Sequence, residues 1–145
     1  MMKYNTTNFR IKTVALVLFF AIMFHSCASK YSFTTSQVVP AAEGSVKVKK
    51  DNNNNYKIDL NVKRLANSKH LTPSREMYIV WMETELNGTR NIGQLTTSSG
   101  LLSDILKSSL ETVTTYKPTG FFITAEDNAT AQNPEGQVVL RTGAF

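Results

Sequence analysis

Residues 76–83 read Glu76-Met77-Tyr78-Ile79-Val80-Trp81-Met82-Glu83, the most apolar stretch outside the N-terminus, and they hold the chain's single Trp. Aromatic and β-branched side chains suit a pleated surface. In a strand, Met77, Ile79 and Trp81 share one face, and Tyr78, Val80 and Met82 share the other. Both faces are apolar, so the stretch reads as a central strand covered on two sides. What surrounds it reads as further strands that pack around it.

Working outward on the C-terminal side, Asn87-Gly88 is a hairpin turn signal, with Arg90 to Thr96 as the returning strand. Leu101 to Thr115 is ambiguous. Leu102, Ile105, Leu106, Leu110 and Val113 fit helical spacing, yet the stretch is rich in Ser and Thr. An irregular crossing with a strand near Ile105–Thr112 is expected, with a short helix as the alternative. Pro118-Thr119-Gly120 reads as a turn, and Phe121-Phe122-Ile123-Thr124-Ala125-Glu126 as a second apolar strand. A loop from Asn128 to Gly136 precedes a last strand, Gln137-Val138-Val139-Leu140-Arg141.

On the N-terminal side, Ser45-Val46-Lys47-Val48-Lys49-Lys50 and Tyr56-Lys57-Ile58-Asp59-Leu60-Asn61-Val62-Lys63 both alternate apolar with polar. They flank Asp51-Asn52-Asn53-Asn54-Asn55, a dense turn signal, so they form a hairpin. Val46, Val48, Tyr56, Ile58, Leu60 and Val62 are expected on its buried face. Lys47, Lys49, Lys57 and Lys63 are expected outside. The Asn run lacks the carboxylate series of a calcium loop and reads as a turn. About seven short strands with no βαβ alternation indicate an all-β antiparallel sandwich over residues 44–145.

Residues 1–26 have another character. Three basic residues and no acid precede Thr13 to Phe24, an unbroken apolar run of 12. A membrane-spanning helix needs about 20 such residues, so the run reads as a secretory signal. It ends at His25-Ser26-Cys27-Ala28-Ser29, which resembles a bacterial lipoprotein leader, in which cleavage precedes a Cys that becomes diacylated. Phe24 and His25 stand where the commonest leaders have Leu and a small residue. The other readings are a plain signal with Cys27 as a free thiol, or a short anchor. Acylation would block the thiol as a nucleophile. The expected location is the bacterial envelope, on a palmitate-type anchor, at the outer membrane facing the periplasm. Lys30 to Gly44, Ser/Thr-rich and without period, reads as a tether, giving residues 27–43 between lipid and domain.

Charge supports that partition. The formal net charge of +5 includes Lys3, Arg10 and Lys12 of the leader. Without them 13 basic residues face 11 acidic ones, a balance too even to suggest nucleic acid. Residues 30–75 hold nine basic and three acidic residues, and 76–145 hold four and eight. The basic half reads either as a solvated strand face or as a surface for anionic lipid, cell wall or an acidic partner. Cys27 is the only Cys, so no disulfide forms within the domain. His70 lies in a loop with no nucleophile or metal ligand near it in sequence. Glu83 and Glu85, two apart at a strand end, read as exposed. No metal-ligand cluster, activated nucleophile or phosphate loop is legible, so neither a cofactor nor enzymatic chemistry is expected.

Tyr78-Ile79-Val80-Trp81, Asn91-Ile92-Gly93-Gln94-Leu95, Phe122-Ile123-Thr124-Ala125-Glu126, and Pro134 before Val138-Val139-Leu140 occur in this order. The series resembles the C-terminal extracytoplasmic domain of the anti-sigma-K factor family, and small envelope proteins that share it. The likeness covers about residues 40–142. It implies an immunoglobulin-like sandwich with Trp81 as core aromatic, packed with Tyr78, Ile79, Val80, Phe122, Ile123, Val138 and Leu140. It does not imply anti-sigma activity, which needs a cytoplasmic sigma-binding segment. The expected function is a non-enzymatic interaction or envelope-sensing accessory module contacting an envelope protein. The alternative is a small-ligand or ion site built from the loops Ala66–Arg75, Glu83–Arg90 and Glu126–Glu135.

Overall fold

The computed structural model describes residues 28–100 and 103–145, with backbone alone for 99, 100 and 103–105. The leader and Cys27 lie outside the described residues. Nine strands occur among those described: β1 (Ser29–Ser32), β2 (Glu43–Lys50), β3 (Tyr56–Lys63), β4 (Met77–Thr84), β5 (Gly88–Gln94), β6 (Thr96–Gly100), β7 (Ser103–Thr114), β8 (Pro118–Glu126) and β9 (Val138–Arg141). They form two antiparallel sheets, β1-β2-β3-β7-β6 and β5-β4-β8-β9. This is an all-β sandwich. With β1 set aside as an addition, the order is the A-B-E-D and C′-C-F-G arrangement of immunoglobulin-like domains.

The alternating hairpin folds as its pattern dictates. Val46 pairs with Leu60 and Val48 with Ile58. Val46, Ile58, Leu60 and Val62 are buried, and Lys47, Lys49, Lys57 and Lys63 are exposed. Asp51 makes the turn. Its Oδ1 accepts from the backbone N–H of Asn53 and of Asn55, both at 2.8 Å. Hydrogen bonding from Asn55 holds its carboxyl below the usual carboxylate range. Asn54 takes the positive φ of 64°, a conformation Asn tolerates better than most residues. On the facing sheet, Tyr78, Val80 and Met82 of β4, Phe121, Ile123 and Ala125 of β8, and Leu140 of β9 complete the core between the layers. Each buried Val, Leu, Ile, Phe or Met here, taken from water, stabilises the fold by about 1.5–3 kcal/mol before chain entropy is set against it.

Lys30 to Gly44 is part of this fold, not a tether, and the domain starts at Ser29. Strand β1 pairs with β2, placing Tyr31 opposite Val46. Ser36 Oγ accepts from the N–H of Val38 and Val39, at 3.2 and 2.9 Å. That local turn brings Val39 and Ala42 into the core. The segment also ties the layers together. Phe33 N–H donates to Gly44 O in one sheet, and Thr34 N–H donates to Arg141 O in the other. At the far edge the chain changes sheets again at Leu95, whose N–H donates to Tyr78 O. The returning strand therefore stops at Gln94, and Thr96 begins β6.

Three further expectations change. The ambiguous stretch is a strand over Ser103–Thr114, paired with β3 from Lys107 to Thr114 and with β6 on its other side, so the helix alternative does not hold. Pro118 opens β8 instead of lying in a turn, a first position where a strand tolerates its missing N–H. Val138 is 42% exposed, and Val139 is buried instead. The pairing of β8 with β9 shifts between Ile123 and Thr124, so Thr124 faces Val138 while Ile123 faces Leu140. One extra residue in β9 puts Val139 and Leu140 both inside, as a bulge does.

Candidate functional site

Trp81 is fully buried, but not between the sheets. It belongs to a second cluster, with Ile79, Phe122, Met77 and Ala131, on the outer face of the four-stranded sheet. Even residues of β4 and odd residues of β8 face the main core, so Trp81 and Phe122 face away from it. Their rings stack with centroids 6.2 Å apart. The loop between β8 and β9 covers them. Asn91 Nδ2 donates to the carbonyls of Ala129 and Ala131 in that loop, at 3.0 and 2.9 Å.

A buried polar relay fastens the loop. Trp81 Nε1 donates to Thr124 Oγ1 at 2.7 Å, and Thr124 Oγ1 donates to Glu126 Oε1 at 2.6 Å. Glu126, only 3% exposed, also accepts from the N–H of Glu135 and Gly136, at 3.1 and 3.0 Å. A Cβ at Gly136 would overlap the Ala125 carbonyl oxygen, so only Gly lets the loop close this tightly. Every donor and acceptor in the relay is used inside the protein. Its chemistry is that of a clasp.

A concave surface lies beside Tyr78. A groove of about 560 Å³ runs between Leu65–Lys69, the start of β4 and the corner at Leu95. Leu95 and Leu106 supply apolar floor; Asn67, Gln94 and Thr97 supply polar walls. The Tyr78 hydroxyl donates to Ala66 O at 2.9 Å, and burial pushes its pKa up to about 12. Lys69 and Glu76 form an ion pair at 2.9 Å on the rim. The groove offers shape and hydrogen-bonding groups for a small polar ligand or a peptide.

The three loops of the alternative ligand site are not brought together. Ala66–Arg75 and Glu126–Glu135 meet at one end, where Arg75 Nη1 bonds Asp127 Oδ2 at 2.5 Å and Glu76 N–H donates to Asp127 Oδ1. The Arg75 guanidinium holds the Asp127 carboxyl below its usual range. Glu83–Arg90 lies at the opposite end, after β4 has crossed the sheet. There Glu83 binds Arg141 at 2.6 Å and Glu85 binds Lys117 at 2.8 Å. His70 is exposed. No group of three or more His, Cys, Asp and Glu side chains gathers among the described residues.

Comparison of the chain with protein-family models, with curated proteins and with solved structures finds no match.

Proposed function

We propose that the chain is a lipid-anchored, non-enzymatic binding module of a bacterial envelope, held by Cys27 and serving as an accessory to envelope sensing. What supports the reading is the closeness of the leader-like sequence to the fold. Cys27 lies three residues beyond the apolar run, and β1 begins at Ser29. A diacylated sulfur at that position seats the sandwich against the bilayer with no slack. Acyl chains contribute about 0.8 kcal/mol per buried methylene, enough for firm attachment when there are two or more chains. Labelled palmitate fed to producing cells tests the anchor: wild-type chain takes up label and sediments with membranes, and Cys27→Ala loses both. Label retained by Cys27→Ala, or absent from wild type, overturns it.

A second reading is favoured by the groove beside Tyr78: the module takes a small polar ligand or a short peptide there. Saturation-transfer NMR against mixtures of amino acids, sugars and short peptides tests it. Binding lost when Thr97→Trp fills the groove supports this reading. Binding indifferent to that change sinks it.

A further inference from the structure

Strand alternation alone turns Lys47, Lys49, Lys57 and Lys63 outward. Strand register adds something alternation does not require. On the outer face of the five-stranded sheet, Lys30 stands opposite Lys47, Lys49 opposite Lys57, and Lys63 opposite Lys107. Like charges directly across a ladder repel and weaken the pairing. Three such pairs on one face are a standing cost to the fold. Three acids offset six lysines only in part: Asp59 faces Lys47, Glu111 lies 3.7 Å from Lys57, and Glu43, opposite Lys63, is shared with Arg64 at 2.8 Å.

Protection of a bare sheet edge accounts for Lys30 alone, because β1 is the edge strand while β2, β3 and β7 are interior. The opposite sheet and its loops carry the acids, among them Glu76, Glu83, Glu85, Asp127 and Glu135. Four of these acids are held in ion pairs with Lys69, Arg141, Lys117 and Arg75, so it is the five-stranded face that carries the unbalanced charge.

We propose that the lysine face lies on a bilayer surface bearing anionic headgroups. The proposal rests on the membrane-held reading above, which brings that surface within reach. From Cys27 to Ser29 is two residues, at most about 7 Å of chain. Ser29 begins the strand that borders the lysine face and is paired with Val48, next to Lys49. The rim of the face then sits within roughly the 8 Å screening length of physiological salt, where attraction to headgroup phosphates is still felt. Ammonium groups on flexible stems suit a mobile, phosphate-bearing surface of that kind.

Lysine footprinting of the full chain tests this. The chain is reconstituted in vesicles of phosphatidylcholine, or of phosphatidylcholine mixed equally with phosphatidylglycerol, and acetylated. Mass spectrometry then compares each lysine between the two compositions. Lys30, Lys47, Lys49, Lys57, Lys63 and Lys107 become less reactive on the anionic vesicles, Lys69 and Lys117 do not, and added salt reverses the difference. In the K47Q/K57Q/K63Q triple variant the seated population falls on the order of a hundredfold, at about fivefold per lysine, and protection of Lys30, Lys49 and Lys107 disappears. Equal reactivity on both vesicles, or protection that ignores headgroup charge, overturns the proposal. So does protection found only in whole envelopes, which would mean a protein occupant. The two readings fail separately. Palmitate on Cys27 without anionic protection leaves the anchor and removes the face. Anionic protection without palmitate does the reverse.

Discussion

The indole N–H of Trp81 is bonded to the hydroxyl of Thr124 at 2.7 Å, and both lie on the side of the sheet turned away from the main core. The sandwich thus has two apolar interiors of unequal size. One is held between the sheets, and the other is held under a loop by a threonine and a glutamate.

Thr124→Val keeps shape but leaves the indole donor without its partner and takes a donor from Glu126. A buried group stripped of its partner costs about 1–3 kcal/mol. Urea denaturation followed by circular dichroism is expected to show a loss in that range. A change below about 0.5 kcal/mol, the usual scatter of surface substitutions, would mean that the relay does not fasten the loop.

Substitution at the bulge in β9 separates two neighbours that look alike. Val138→Lys is expected to change stability by no more than about 0.5 kcal/mol, because the side chain is already exposed. Val139→Lys puts an unpaired charge into the core and is expected to prevent folding. Thermal melts of the two proteins check the pair, and the opposite ranking would contradict the register.

Alkaline conditions expose the burial of Tyr78. Its folded pKa of about 12 lies above the ordinary 10.0, so the unfolded chain releases the proton first. The contribution is intact below pH 10 and is lost as pH rises toward 12. Tyr78→Phe cannot ionise, but it gives up the bond to Ala66 O, at a cost of about 1 kcal/mol near neutrality. The gap between the two proteins is expected to close across that alkaline window, measured by urea midpoints at successive pH values.

Acid acts on the ion pair at the same end of the sheet. Arg75 lowers the Asp127 carboxyl below 3.8, so this pair stabilises the fold above the ordinary carboxylate range and ceases to as pH falls through the lowered value. Asp127→Asn is expected to lower the urea midpoint at pH 7, by less as the medium becomes more acid. A difference that does not vary with pH would mean the ion pair has no part in it.

Reversing one lysine tests the repulsion across β2 and β3. Lys49→Glu makes the pair with Lys57 attractive and is expected to raise stability by about 0.2–1 kcal/mol at low salt. The gain shrinks as salt is added, which calorimetry at two ionic strengths would show.

Much of this architecture is legible from residues alone. The hairpin of β2 and β3 announces itself because each buried position alternates with a charged one. The two-sided character of β4 is equally plain, since Met77, Ile79 and Trp81 could be nothing but covered. The face on which Trp81 lies is not legible, because both faces of β4 are apolar and alternation cannot say which meets the other sheet. Strand β1 is hidden for a different reason. Its four residues are mostly polar, and it is held by pairing with β2 and by a Ser36 turn, neither of which leaves a period. The Val138 error comes from a bulge, which breaks the alternation that a reader depends on. The groove beside Tyr78 joins residues from four separate stretches, so no local pattern marks it. The lysines were visible singly, but their opposition in pairs depends on register.

Trp81 is the chain's sole indole, and it sits beneath a loop, not between the layers. Its emission is therefore a spectroscopic tag on the covering loop. Should acrylamide begin to quench that light while the ellipticity of the sheets is unchanged, the loop lifts before the layers part.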